Sequence, residues 1–191
     1  MNNTNSQMDQ TSVFLVSGGT KAITTQCVIE LAKHKKCKFI LLHKEFNAIS
    51  SRQEIEKTLS TIEQAGGQAE YLSVDVTDAI ALQEKLAAAV EHTGPITGII
   101  HGAGNLAELP IEKESQRDFE TVYNAKVKGL ENLLSCVSAS QLDYLILFDS
   151  VVGFYGNVGQ SDYAIANEIL NKSAYLVKRN HPNCHVVIIN W

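Results

Sequence analysis

The chain has few of the residues that build disulfide frameworks or metal sites. Its 191 residues include only four cysteines and three prolines, and no two cysteines form a C-x-x-C pair. The cysteines are Cys27, Cys37, Cys136 and Cys184. His181 and His185 are four residues apart but flank Pro182, which argues against one helical metal-binding face. We therefore expect reduced, packed thiols, as in a cytoplasmic protein, and no metal site.

Long hydrophobic runs and an excess of positive charge are also absent. No stretch approaches the roughly 18 apolar residues of a membrane helix. The formal net charge of −5 provides no electrostatic footprint for nucleic acid or for an anionic membrane, so neither is an expected partner. The opening MNNTNSQMDQ lacks the basic start and apolar centre of a signal peptide, and residues 1–11 are expected to form a flexible tail or linker.

What the sequence does contain is a regular alternation of strand-like apolar runs and helical segments. The apolar runs occupy residues 13–17, 37–45, 69–76, 96–104, 142–150 and 185–191. The helical segments include 48–65, one that begins at Asp78, and 115–137. This alternation predicts a single α/β domain over residues 12–191, with a doubly wound, mostly parallel sheet and right-handed crossovers.

A strand, a glycine pair and a helix follow one another near the start of the chain. The β-favouring run 13–17 leads into the glycines, and the apolar spacing from Ile23 onward is that of a helix. At such a turn, backbone N–H groups and the helix dipole face the same point and form an anion site. The candidate phosphate-binding residues are Gly18, Gly19, Thr20, Lys21, Ala22 and Ile23.

The stretch FDSVVGFYGNVGQSDYAIAN contains the candidate chemistry. Tyr163 lies thirteen residues after Ser150 and four before Asn167, and a four-residue spacing places two side chains on one helix face. A phenol can protonate a carbonyl oxygen, but with an ordinary pKa of about 10 it needs a nearby cation to stabilise its phenolate. Lys126 is the candidate cation. The alternative is that these four residues serve only as turn, packing, capping and solvated surface residues.

The segment from Phe148 to Trp191 resembles the active-site half of the short-chain dehydrogenase/reductases, especially the ketoreductase domains of polyketide and polyunsaturated fatty acid synthases. Most of that superfamily carries Tyr-x-x-x-Lys with an asparagine on a preceding helix, whereas synthase ketoreductases exchange the two. Here Tyr163 and Asn167 form Tyr-x-x-x-Asn, and Lys126 stands where the asparagine would be. The resemblance implies that Tyr163 donates a proton, Ser150 hydrogen-bonds the substrate oxygen, Lys126 lowers the phenol pKa and Asn167 supports the lysine.

The resemblance also implies a dinucleotide cofactor on the glycine turn. Against the family pattern Gly-x-x-x-Gly-x-Gly, Gly18 is kept while Ala22 and Thr24 replace the later glycines. At the end of the second strand, His43 and Lys44 stand where ketoreductases carry a cation for the 2′-phosphate of NADP, so NADPH is expected. The adjacent glutamate should weaken that preference. The alternative for this lysine is a charged loop residue after a strand.

Two further turns match the family in order along the chain. Asp75 and Val76 lie in an Asp-Val-x-Asp stretch that the resemblance places against the adenine. The turn beside the nicotinamide ribose is implied to consist of His101, Gly102, Ala103 and Gly104. An ordinary turn aspartate and a tight strand-end turn are the competing interpretations.

Together these features predict an NADPH-dependent 3-oxoacyl reductase of a polyketide or fatty acid synthase. Its substrate would be an acyl thioester on an acyl carrier protein, and its partners would be neighbouring synthase domains. Resembling ketoreductases continue past the sixth strand into lid helices and a final strand, so we expect these to be missing here. Two alternatives stay open: a scaffolding domain that has lost productive cofactor binding, and a split domain that needs a completing segment.

Overall fold

A computed structural model of the chain describes residues 8–19, 22–44, 49–106, 108–138 and 140–191. The predicted site residues Thr20 and Lys21 and the side chain of Ala22 lie outside the described part, as do residues 1–7 of the predicted tail. The rest of that predicted tail, residues 8–11, leads into the first strand through a turn, and Met8 packs against the apolar core.

Six parallel strands form one sheet with the order β3-β2-β1-β4-β5-β6. The strands are β1 (Val13–Ser17), β2 (Lys38–His43), β3 (Gln68–Ser73), β4 (Gly98–His101), β5 (Tyr144–Asp149) and β6 (His185–Asn190). Each crossover between neighbouring parallel strands requires a long connection, and helices supply it. The predicted doubly wound α/β fold is confirmed.

Seven α-helices are assigned in the described residues. They are α1 (Ala22–Lys35), α2 (Ile49–Gln64), α3 (Ala79–Thr93), α4 (Gln116–Tyr123), α5 (Gly129–Ser135), α6 (Val152–Tyr155) and α7 (Ser161–Asn180). A short 3₁₀ turn spans Ile111–Lys113. None of the helices in this part of the chain is both long and apolar enough to cross a bilayer.

The sheet is buried on both faces because helices cover each side. Alternate residues of a strand point to opposite faces, so Leu15 and Ile40 enter one apolar cluster while Phe14 and Phe39 enter the other. Phe14 and Phe39 stack with ring centroids 5.9 Å apart. The four central strands are largely buried, and the sequence shows them as nearly continuous apolar runs. The edge strands β3 and β6 are only partly buried.

Each boundary of α3 has a local chemical cause. The Asp78 side chain accepts a hydrogen bond from the Ala81 amide at 3.1 Å and so caps the start of α3, as predicted. Gly94 ends α3 with φ of +94°, a conformation that glycine adopts without strain.

The predicted long helix over 115–137 differs from the structure. Residues Asn124–Lys128 form a π turn between α4 and α5, so one helical rod is built from three segments. A π turn inserts one residue into the helical ladder over a single turn, which is too short a stretch to show in the apolar periodicity of a 23-residue segment. The lysine singled out by sequence, Lys126, lies at the centre of this turn.

We predict that Gly18→Ala destabilises the fold more than Gly156→Ala. Both glycines have similar positive φ, +71° and +69°, but a Cβ on Gly18 would lie 2.6 Å from the Gly102 carbonyl carbon, whereas one on Gly156 meets nothing within 4 Å. Gly156→Ala should cost about 1–3 kcal/mol through backbone strain alone. Gly18→Ala should cost a further ~1–3 kcal/mol through overlap. Denaturant unfolding measures both, and equal losses would contradict the assigned contact.

Candidate active site

A cleft of about 660 Å³ opens at the carboxyl ends of the strands, where open parallel sheets bind their ligands. The predicted residues along its wall are Gly18, Ile23, His43, Lys44, Asp75, Val76, Gly102, Ala103, Gly104, Lys126 and Tyr163. Four other predicted residues do not line it: Gly19, His101, Ser150 and Asn167. The sheet therefore gathers predicted residues that are up to 145 positions apart in the chain, from Gly18 to Tyr163, into one site.

The glycine turn is packed backbone against backbone. A Cβ on Gly18 would overlap the peptide between Gly102 and Ala103, and a Cβ on Gly102 would lie 2.1 Å from Thr24 Oγ1. The Thr24 side chain is buried in the space that Gly102 leaves open. The threonine at the last position of the family's glycine pattern is thus accommodated by a glycine on the neighbouring turn.

The far end of the cleft carries an ion pair. Lys44 Nζ lies 2.9 Å from Asp75 Oδ2. Burial raises the pKa of Asp75, but hydrogen bonds from Thr77 and the neighbouring Lys44 ammonium outweigh it and leave the pKa below its usual value. The Thr77 amide and hydroxyl both donate to Asp75 Oδ1, at 3.0 and 2.8 Å, so this aspartate also shapes its own turn.

His101 occupies a position different from the one expected of a cofactor contact. Its ring is fully buried, and Nε2 donates to the Lys126 carbonyl oxygen at 2.8 Å. Because a carbonyl only accepts, Nε2 carries the proton, and Nδ1 accepts from the Ser17 hydroxyl at 2.6 Å. Burial lowers the pKa of this histidine to about 4, so the ring is neutral. His101 connects the end of β1 to the π turn and lies behind the cleft wall.

Lys126 projects from the π turn into the centre of the site, where its side chain is shielded from solvent. Its side chain is buried, and the residue is only 4% exposed. Nζ donates to the Phe148 carbonyl oxygen at 3.2 Å. A Cβ on Gly104 would lie 3.2 Å from Lys126 Cε, so that glycine makes room for the lysine. Burial lowers the pKa of Lys126 to about 8, against the opposing attraction of Asp149.

Tyr163 lies beside this lysine on α7. The Lys126 Nζ is 5.2 Å from the centroid of the phenol ring, within cation–π range. Asn167, one helical turn along, donates from Nδ2 to the Tyr163 carbonyl oxygen at 2.7 Å. Its buried Oδ1 has no hydrogen-bond partner among the described residues. Asn167 thus contacts the tyrosine backbone here, whereas the resemblance implied support of the lysine.

The pKa of Tyr163 is raised, not lowered as the sequence resemblance implied. Burial is the largest cause, and hydrogen bonds with the Asn167 and Ser150 side chains only partly offset it. In this arrangement the Lys126 ammonium donates to the Phe148 carbonyl oxygen, and Lys126 is not among the groups that lower the pKa of the phenol. Ser150 itself also donates from Oγ to the Trp191 carbonyl oxygen at 3.3 Å.

Sequence reasoning missed several residues of the site. Asp149 is fully buried next to Ser150, and its signal was a charged residue at the end of an otherwise apolar strand. The outer wall of the cleft includes Leu106, Arg117, Glu120, Thr121 and Asn124. Those five lie on a loop and an amphipathic helix, where polar residues are ordinary surface residues until the fold places them against the cleft.

Comparisons with known proteins agree with this architecture. The sequence profile of the KR domain family matches residues 12–191. One chain of the polyunsaturated fatty acid synthase of Thraustochytrium sp. is 43% identical over 126 residues, which cover 65% of this chain and 4% of that protein. Polyketide synthase PksN of Bacillus subtilis is 30% identical over 183 residues, 94% of this chain and 3% of that protein. The chain spans only these small fractions of the relatives' lengths.

Solved structures show the same likeness. An N-terminal ketoreductase from the macrolactin assembly line superposes with a TM-score of 0.85 at 27% identity, over 97% of this chain and 37% of that one. A ketoreductase domain from the bacillaene assembly line gives 0.82 at 28% identity, over 100% of this chain and 46% of that one. NAD⁺-bound xylitol dehydrogenase, at 20% identity and a TM-score of 0.83 over 96% of this chain and 70% of that one, shares the fold.

We predict that the buried ammonium of Lys126 makes stability depend on pH. The folded pKa of about 8 lies below the ordinary 10.5, so between these values the unfolded chain binds more protons and the free energy of unfolding rises with pH. Compared with Lys126→Met, the wild type should gain up to about 3 kcal/mol across this window. Denaturant titrations at several pH values test this. The exposed Lys128→Met variant should run parallel to the wild type, and parallel behaviour of Lys126→Met would contradict the burial effect.

Proposed function

This chain belongs to the KR domain family, the ketoreductase branch of the short-chain dehydrogenase/reductases, and we propose that it reduces a 3-oxoacyl thioester with NADPH. The product is the 3-hydroxyacyl thioester of polyketide or fatty acid synthesis, and the substrate is carried on an acyl carrier protein of a multidomain synthase. The carrying observation is the buried Lys126 ammonium 5.2 Å from the Tyr163 ring, in a cleft whose wall also includes Gly18, Gly102 and Gly104.

The residues along the cleft fit a nicotinamide dinucleotide. Gly18 and Gly102 lie on the cleft wall where the pyrophosphate would bind, and the Asp75–Val76 turn offers a wall for the adenine. Lys44 would bind the 2′-phosphate, which favours NADPH over NADH. Its ion pair with Asp75 holds the ammonium at that end of the cleft, and the same aspartate competes with the phosphate for it. When bound, NADPH supplies a hydride for the carbonyl carbon of the substrate.

In the proposed reaction, Tyr163 and Ser150 act on the oxygen of the ketone. Ser150 donates a hydrogen bond to this oxygen while the Tyr163 hydroxyl gives it a proton, which completes the alcohol. The Lys126 ammonium must then turn from the Phe148 carbonyl toward the phenolate, because only there does its charge offset the effect of burial on the tyrosine pKa. Catalytic hydrogen bonds commonly tighten in this way once substrate is bound.

Two other functions are distinguished by simple binding data. A scaffolding domain would not bind NADPH, and a split domain would bind NADPH but turn over only with a completing segment. Fluorescence titration with NADPH distinguishes a scaffolding domain, which would not bind it, from the other two functions. Steady-state reduction of a 3-oxoacyl thioester by the chain alone distinguishes the proposed reductase from a split domain. Binding together with reduction supports the proposed function.

We predict that Tyr163→Phe loses most of the reductase activity while the affinity for NADPH is nearly unchanged. The ring still packs beside Lys126, but the proton donor is gone, and general acid catalysis contributes about 10²–10⁴-fold. The measurements are kcat with a simple 3-oxoacyl thioester and NADPH binding by fluorescence.

Two lysines provide the matched control for this assignment. Lys126→Met should lose activity to a similar degree as Tyr163→Phe, whereas Lys128→Met should not, since Lys128 is exposed and pairs with Glu131 at 3.0 Å. Equal activity losses in the two lysine variants would contradict the assignment of Lys126. A Tyr163→Phe variant with the wild-type rate would remove Tyr163 as the acid.

We also predict that Lys44→Ala weakens NADPH binding more than NADH binding. A charge-assisted hydrogen bond contributes about 1.5–3 kcal/mol, and the lower end is expected because the side chain is 75% exposed. Lys172→Ala is the control, since Lys172 is 74% exposed and also ion-paired at 2.9 Å, but with Glu168 and outside the cleft. Equal losses of NADPH and NADH affinity in Lys44→Ala would exclude Lys44 from the phosphate site.

A further inference from the structure

A buried carboxylate lies within the candidate site without a role in the reaction described above. Asp149 ends β5, between the carbonyl that Lys126 contacts and Ser150, and it is fully buried. Its Oδ1 accepts a hydrogen bond from the Ser150 amide at 2.8 Å. Its Oδ2 accepts one from Asn171 Nδ2. Both oxygens are therefore used, and they join the strand end that carries Ser150 to α7.

Asn171, which donates to Asp149, lies on the same face of α7 as Tyr163 and Asn167. Tyr163, Asn167 and Asn171 follow one another at four-residue intervals, so they lie along one side of α7. A carboxylate that holds Asn171 thereby sets the position of this face relative to Ser150. The distance between the two residues proposed to act on the substrate oxygen thus depends on Asp149.

Asp149 also supplies negative charge next to a buried cation. The ammonium of Lys126 and the carboxylate of Asp149 attract each other, which raises the pKa of the lysine and lowers that of the aspartate. Among the described ion pairs there is no direct contact between the two, so the attraction acts across a gap. The other ionisable groups that interact with Asp149 are Glu168 and Tyr163, both from α7. A buried lysine needs such a compensating charge to stay protonated.

We propose that Asp149 is a positioning residue for the ketoreduction proposed above: its carboxylate holds Ser150 against the tyrosine face of α7 and places a negative charge one residue from the carbonyl that Lys126 contacts. Its catalytic consequence rests on the proposed function, whereas its electrostatic effect on Lys126 does not. Asp149 touches neither substrate nor cofactor in this scheme and acts through Ser150 and Lys126.

The charges of the pair define a window of pH. Burial raises the pKa of Asp149 to about 6, and burial lowers the pKa of Lys126 to about 8. Below about 6 the carboxylate is neutral and the lysine loses its partner; above about 8 the lysine loses its proton. Because the two groups interact, these pKa values describe the titration of the pair. Between the two values, Asp149 is negatively charged and Lys126 is positively charged.

The direct test follows the protonation of Lys126 by ¹⁵N NMR of its Nζ in the full chain, with the signal assigned by its loss in Lys126→Met. In Asp149→Asn, which keeps the shape and removes the charge, the pKa of Lys126 should fall by about one unit or more. An unchanged Lys126 titration in a folded Asp149→Asn variant would overturn the proposal. If this variant does not fold, the same titration of the wild type tests the proposal. The wild-type Lys126 signal should show a second inflection near pH 6, where Asp149 is protonated. Absence of that inflection would also overturn the proposal.

Two further variants separate charge from packing. In Asp149→Asn/Asn171→Asp, the carboxylate is moved to the other end of the same hydrogen bond, and part of the fall in Lys126 pKa should be reversed. The control is Glu168→Gln, which also removes one negative charge, but from α7. Because Glu168 is ion-paired with Lys172, this substitution should leave the pKa of Lys126 unchanged. A fall equal to that of Asp149→Asn in the control would contradict a specific role for Asp149.

Activity measurements then distinguish this proposal from the proposed function. If the wild type reduces a 3-oxoacyl thioester, Asp149→Asn should lower kcat with little change in KM, and the alkaline limb of its pH profile should move to lower pH. A wild-type profile and rate in that variant would overturn the positioning role. If the wild type binds NADPH but reduces nothing, the proposed function fails, and the NMR titration still decides whether Asp149 controls Lys126.

Discussion

The site depends on one buried charge, the ammonium of Lys126. Removing a lysine from water is costly, and the chain compensates through the Phe148 carbonyl, the face of the Tyr163 ring and the nearby Asp149 carboxylate. Two of these partners come from the end of β5 and the third from α7, so both elements must meet the π turn correctly for the lysine to be tolerated. The π turn is itself held by His101, whose ring donates to the Lys126 carbonyl. Functional charge and local backbone irregularity occur at the same place, as is common at active sites.

At the glycine turn of the cleft, the structure depends instead on close packing of one backbone segment against another. Gly18, Gly102 and Thr24 fit together with no room for another methyl group. This explains how a threonine stands at the last glycine position of the pattern: its side chain occupies space that Gly102 leaves open. By contrast, the Lys44 side chain of the Lys44–Asp75 ion pair is 75% exposed, and such a pair contributes at most about 1 kcal/mol to stability.

Much of the fold was predictable because the central strands are largely buried and appear as apolar runs. The cap at Asp78 and the end of α3 at Gly94 each have a local chemical cause. The π turn at Asn124–Lys128 was not predictable, since it occupies a single turn and depends on packing around Lys126. His101 was interpreted as a cofactor contact because its turn matches a family pattern, and only packing shows that its ring lies behind the wall.

The sequence by itself determined the fold class, the family and the four residues of the candidate chemistry, because these depend on residue type and spacing along the chain. The tertiary structure decided the protonation behaviour of the site. Burial raises the pKa of Tyr163 and lowers that of Lys126, and Asp149 joins the cluster across the sheet. Such pKa shifts arise from burial and from the proximity of charges that are distant in sequence. Burial and proximity are both produced only by folding.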